Sequence, residues 1–153
     1  MIYDCDYFIK KFEAIPQDGM ICNAQYDKLG RHCAYGWCSP DAGKLGIRLG
    51  EFKYGDQTKE GQTLYKLFNF LPQLNFVNGI PDCHNNPASI NNGLYIEYQQ
   101  DTPKQRILAA LYDVKALEAS QSPSYPDVRE ELAASVVIGD SADVLREVEG
   151  VKN

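Results

Sequence analysis

The sequence predicts an α+β fold: a small single domain with about four to five helices and a few short strands. Three observations point there. Apolar residues recur at helical spacing in separate segments, and short apolar runs lie between turn-forming residues. The chain of 153 residues, 44% of them hydrophobic, is also long enough for one core and short for two.

The first helix is expected over residues 4–14, where Cys5, Phe8, Ile9 and Phe12 share one face. Asp4 or Asp6 favours its N-terminus, and Ile15-Pro16 ends it. Residues 20–26 read as a short strand, followed by a turn at Asp27–Gly30. Residues 31–38 read as one or two helical turns, and residues 41–56 as a loop or a short hairpin around Gly46–Phe52. A second helix is expected over 58–71, with Leu64, Leu67, Phe68 and Leu71 as its stripe and Pro72 as its stop. Residues 79–93 carry four asparagines and form the longest run of turn chemistry in the chain. A strand over 94–98 follows. The helix from Thr102 to about Ala119 opens with Thr102 as N-cap, Pro103 at the first helical position and Gln105 at N3. Its buried face is expected to run from Ile107 and Leu108 to Leu111 and Tyr112.

These elements make a body of residues 1–120. Residues 121–153 form an acidic C-terminal extension, with a linker at 121–126, helices at 128–135 and 141–149, and a strand at 136–138. From Asp127 onward seven acids face three bases, so the extension carries most of the formal net charge of −6. Direct nucleic-acid binding is not expected of such a chain; the acidic segment reads as a solvated surface or, in the sharper alternative, as a surface for a basic partner. No apolar stretch approaches the roughly 20 residues of a membrane span. The opening residues show no basic segment followed by an apolar one. A cytoplasmic protein without a membrane span is therefore expected. Its five irregularly spaced cysteines read as reduced thiols.

Phosphate-cradling glycine motifs, H-E-x-x-H, an EF-hand loop and G-x-S-x-G are all absent from the sequence, and no cofactor is expected. Three chemistries remain. Cys33, at the start of a helical turn, is a candidate nucleophile, with His84 as base and Asn85 or Asn86 orienting the ring; the chain would then be a cysteine-dependent hydrolase or transferase. Alternatively, Cys33 is a core thiol and His84 a loop residue. Cys33, Cys38 and one of Cys83 or His84 offer a weak zinc set, although neither half of a paired C-x-x-C motif is present. Finally, ten tyrosines in this length suit a binding surface. His84, Asn85 and Asn86 of the loop at 81–93, with Tyr35 and Arg31, are the candidate ligand contacts for a small polar or anionic molecule.

Gly30-Arg-His-Cys-Ala-Tyr-Gly36 resembles the G-x-x-C-x-x-G stretch of an uncharacterised family of small bacterial and phage proteins. That family's later block, an Asn-Asp pair followed by a threonine-capped helix, has counterparts in His84-Asn-Asn86 and Thr102–Leu108. Asn86 stands where the family has Asp. The resemblance implies one domain ending near Leu117 and marks Cys33, Gly36 and Asn86 as anchors. It also implies a phage-associated, host-directed role, such as blocking a defence protein or sequestering its nucleotide signal. The leading expectation is a non-enzymatic binding protein that takes a protein partner or a small polar or nucleotide ligand through loop 81–93 or the acidic tail.

Overall fold

Short-range capping sets the first helix. In the computed structural model, which describes residues 2–48 and 50–121, helix α1 covers Cys5–Glu13. Asp4 caps it by accepting the Tyr7 amide at 2.8 Å. Helix α2 (Lys59–Phe68) is capped by Thr58, whose hydroxyl accepts the Gly61 amide at 3.0 Å. Helix α3 (Pro87–Asn91) starts behind Asn86, with Pro87 in the first turn. Helix α4 (Pro103–Gln121) opens with a reciprocal capping box: Gln105 N donates to Thr102 Oγ1 at 3.1 Å, and Thr102 N donates to Gln105 Oε1 at 3.2 Å. Single 3-10 turns lie at Gln17–Gly19, Gly36–Cys38 and Gly55–Gln57.

The expected α+β class is overturned. The described residues are mostly helical and contain no strand; backbone pairing outside the helices is limited to the isolated bridges Met20↔His32, Asn75↔Pro81 and Phe76↔Tyr95. The segment 20–26 cannot extend as a ladder because Asn23 turns it with a φ of 66°. Around 94–98, Phe76 and Tyr95 meet as a stacked pair at 5.3 Å, and pairing stops there. Among the described residues around Gly46–Phe52 no hairpin pairing is present, and Glu51 N donates to the Arg48 carbonyl. The long loop at 79–93 also differs from expectation, since α3 lies within it. Apart from Gln121 at the end of α4, the linker, helices and strand expected after residue 120 lie outside the described residues.

Contacts divide the chain into the units Met1–Leu117 and Glu118–Asn153, and of the second only residues 118–121, the end of α4, are described. The core of the first unit gathers one face of each helix. Phe8 and Phe12 of α1, Leu64 and Phe68 of α2, Ile90 of α3, and Ile107, Leu111 and Val114 of α4 are all fully buried. Burying a side chain of this size contributes about 1.5–3 kcal/mol. The stripe on α4 is rotated from expectation: Arg106, Ala110 and Val114 turn inward, whereas Tyr112 is exposed and its hydroxyl donates to Glu13 at 2.5 Å. The Cys5 thiol ties α1 to α4 by donating to the Leu111 carbonyl at 3.1 Å.

Three glycines bring irregular segments into backbone contact. A Cβ on Gly36 would overlap the Gln25 carbonyl, one on Gly55 the Tyr35 carbonyl, and one on Gly61 the Gly55 carbonyl. Segments 25, 35–36 and 55 are thereby layered onto the start of α2. That layering shapes the surface described next.

Candidate functional site

A cleft of about 430 Å³ opens over the Cys33 turn. One wall is the segment from Asn23 to Tyr26. Cys33 and Tyr35 supply the floor, Tyr54 one rim, and Ala88 and Asn92 of the α3 region the other. The lining is uncharged. It combines three tyrosines with the side-chain amides of Asn23, Gln25 and Asn92.

Asparagine chemistry builds the α3 wall. The fully buried Asn91 accepts the Ala34 amide on Oδ1 at 3.0 Å, and its Nδ2 donates to the Ile21 carbonyl at 2.8 Å. Its neighbour Asn92 accepts the Asn23 amide at 3.1 Å and donates back to Asn23 Oδ1 at 3.2 Å. Arg106 holds the same corner from α4. Its guanidinium donates to the Asn91 carbonyl at 2.7 Å and to the Gln100 carbonyl at 2.6 Å. Gln25 joins the opposite side, donating to Asp56 Oδ1 at 2.9 Å and accepting the Gly55 amide at 2.7 Å. The cleft walls are thus pinned by side-chain amides, of which Asn91 is fully buried.

Cys33 does begin a turn, with Trp37 N donating to its carbonyl at 3.1 Å. The N–H groups of Gly36, Tyr35 and Cys33 itself favour a charged sulfur, but burial outweighs them and raises the thiol pKa above its ordinary value. The Asp56 carboxylate adds to the rise and, after burial, also pushes the Tyr35 hydroxyl upward. The sulfur is therefore protonated at neutral pH.

Neither histidine is among the residues lining the cleft. His84 is exposed and sits beside Tyr65, with ring centroids 6.4 Å apart. His32 is fully buried between Phe52 and Trp37, with both ring nitrogens hydrogen-bonded to backbone. The other predicted contacts have structural partners. Asn85 is buried, and its amide donates to the carbonyls of Phe68, Leu71 and Pro72 at 3.0, 3.2 and 3.1 Å while accepting the Leu74 amide at 2.9 Å. Asn86 is the N-cap of α3, accepting the Ala88 amide at 2.8 Å. Arg31 pairs with Asp27 at 2.7 Å. Of the predicted set, Cys33 and Tyr35 are the two that meet in the cleft. Among the described residues no group of three His, Cys, Asp or Glu is gathered to hold a metal, and all five cysteines are free thiols.

Asn23, Gln25, Tyr26 and Tyr54 were not named as site residues from sequence, whereas Ala88 and Asn92 lie within the expected binding loop 81–93. Tyr26 did carry a signal, since it falls outside every helical stripe. Among the described residues no helix is long and apolar enough to cross a membrane. No protein-family profile, curated protein or solved structure matches this chain.

Proposed function

We propose that the protein is a non-enzymatic binding protein whose cleft takes a small, planar, polar molecule. The observation that carries this reading is the lining itself: Tyr26, Tyr35 and Tyr54 beside the amides of Asn23, Gln25 and Asn92, around a space of about 430 Å³. That volume falls in the range of small-molecule sites, which pair aromatic area with a few polar groups. Tyrosine rings offer flat contact at little entropic cost, and amides supply both donors and acceptors to a heterocycle edge. Asn91 of α3, its C-cap Asn92 and the glycine contacts fix the walls in advance, which lowers the cost of ordering on binding.

The test combines native mass spectrometry of the protein from its source cells with a thermal-shift screen of planar polar compounds. A retained small molecule or a stabilising compound is expected. Tyr54→Ala should weaken it about 10-fold, as loss of one stacking partner does. Tyr54 is half exposed, so the variant keeps its core. No stabilising compound, or one whose binding ignores Tyr54, would refute the reading.

A second reading, a cysteine-dependent hydrolase or transferase, is favoured by one observation: Cys33 lines the cleft and begins a turn, with Trp37 N donating to its carbonyl at 3.1 Å. It requires a base that the cleft lining does not supply, and thiol reactivity separates the two readings.

A further inference from the structure

We infer that the ligand of the tyrosine cleft carries an anionic group beside its ring, as a nucleoside monophosphate does, and that the anion sits in an adjoining basic cleft. The inference rests on the cleft being a ligand site, as proposed above.

The adjoining cleft, about 470 Å³, is lined by Tyr26, Lys28, Gly46, Ile47 and Arg48. Tyr26 belongs to both clefts, so this residue is the partition at which an uncharged chamber adjoins one with two cations. The partition is held in place. The Tyr26 hydroxyl donates to the Ile47 carbonyl, and its ring packs on the buried Phe52 at 5.1 Å. Phe52 in turn stacks on the buried His32 at 5.4 Å. The Tyr26–Ile47 bond also pins the segment that carries Arg48 near Lys28.

The charges of this region leave the two cations available. Asp27 is occupied by Arg31 at 2.7 Å, and Arg31 is not in the lining. Arg48 pairs with Glu51 at 3.1 Å, but both side chains are more than half exposed, a solvated pair that a phosphate can displace. Lys28 has no ion pair among the described residues. A neutral planar molecule would need only the first chamber; a ring with a short anionic arm uses both.

The experiment titrates the full chain calorimetrically at low salt with adenosine, guanosine, cytidine and uridine and with their 5′-monophosphates. At least one monophosphate is expected to bind 10-fold or more tighter than its nucleoside. Lys28→Ala combined with Arg48→Ala should abolish that difference and leave the nucleoside affinity unchanged, and added salt should shrink it. Equal affinities, or a difference that survives the double variant, would overturn the inference and leave the cleft reading standing. So would a planar polar compound that binds in a Tyr54-dependent way when no monophosphate does. If no planar polar compound binds at all, both readings fail.

Discussion

The Gln25 carbonyl accepts the Nδ1 proton of His32 at 2.7 Å, which leaves Nε2 to accept the Gly43 amide at 3.0 Å. The ring is therefore held as the neutral Nδ1–H tautomer, with a fixed task for each nitrogen. Protonating Nε2 would set one N–H against another in a buried aromatic box.

Burial accordingly lowers the His32 pKa below its ordinary 6.5. In the unfolded chain the ring takes up a proton near 6.5, while the folded chain resists until a lower pH. The contribution to stability is thus full above 6.5 and is lost as pH falls from there through the folded value. Urea unfolding between pH 8 and 5 should show stability falling with acidification in the native chain and a flatter slope in His32→Gln. NMR titration of the native chain gives an independent readout: the His32 ring protons should titrate at a lower pH in the folded chain than in the unfolded one. A folded-state titration at or above the unfolded one would contradict the assignment.

Gly36→Ala should be among the most damaging single-methyl additions in the chain. The added Cβ would overlap the Gln25 carbonyl and also press on His32 Cβ. Both belong to segments locked by backbone hydrogen bonds, so neither can yield as a flexible side-chain tip would. A loss of about 3 kcal/mol or more is expected, read as a shift of the denaturation midpoint. The final glycine of the G-x-x-C-x-x-G stretch is thereby explained by close backbone approach. Alanine at Gly36 with near-native stability would mean that segments 25 and 36 do not touch.

Adjacent asparagines should respond in opposite ways to the same change. Asn85→Asp places a carboxylate against three carbonyls that now receive N–H bonds, those of Phe68, Leu71 and Pro72. A loss of about 3–5 kcal/mol at pH 7 is expected. Asn86→Asp keeps the oxygen that accepts the Ala88 amide at the start of α3. Aspartate caps as well as asparagine does, so its effect should stay within about 0.5 kcal/mol. Denaturation of the two variants in parallel checks both.

The helices were legible because their signals are local. Asp4 and the Thr102–Gln105 box each act within one turn, and the stripe Cys5-Phe8-Ile9-Phe12 needs only a single face to bury. Helix α3 was hidden by its length, although Asn86-Pro87 held its cap and first residue in plain order. The strands were misread because apolar content at 20–26 and 94–98 is used for single contacts: Met20 and Tyr95 are buried anchors, and no partner segment continues beyond each bridge. The cleft escaped sequence reading because it is assembled over long separations. Asn23 meets Asn92, and Gln25 meets Gly55, through bonds that no spacing rule foretells. Tyr26 and Tyr35 were visible as residues without a stripe, but that they would gather with Tyr54 was not.

Thiol reactivity tests the cleft floor directly. Cys22 and Cys83 are exposed, whereas Cys5, Cys33 and Cys38 are buried. Burial raises the thiol pKa of Cys33 and, more strongly, that of Cys38. An aromatic disulfide reagent at pH 7.5 should therefore titrate Cys22 and Cys83 quickly in the folded chain and the remaining three only after denaturation. Peptide mapping after brief alkylation assigns the sites. Thiolate formation at Cys33 should occur only at alkaline pH, so its labelling rate should climb steeply as pH is raised and stay low near neutrality. The opposite pattern, with Cys33 labelled faster than the two exposed thiols at pH 7, would require a charged sulfur at the cleft floor. The neighbouring backbone N–H groups would then outweigh burial, and the cysteine-dependent reaction would displace simple binding as the function of the cleft.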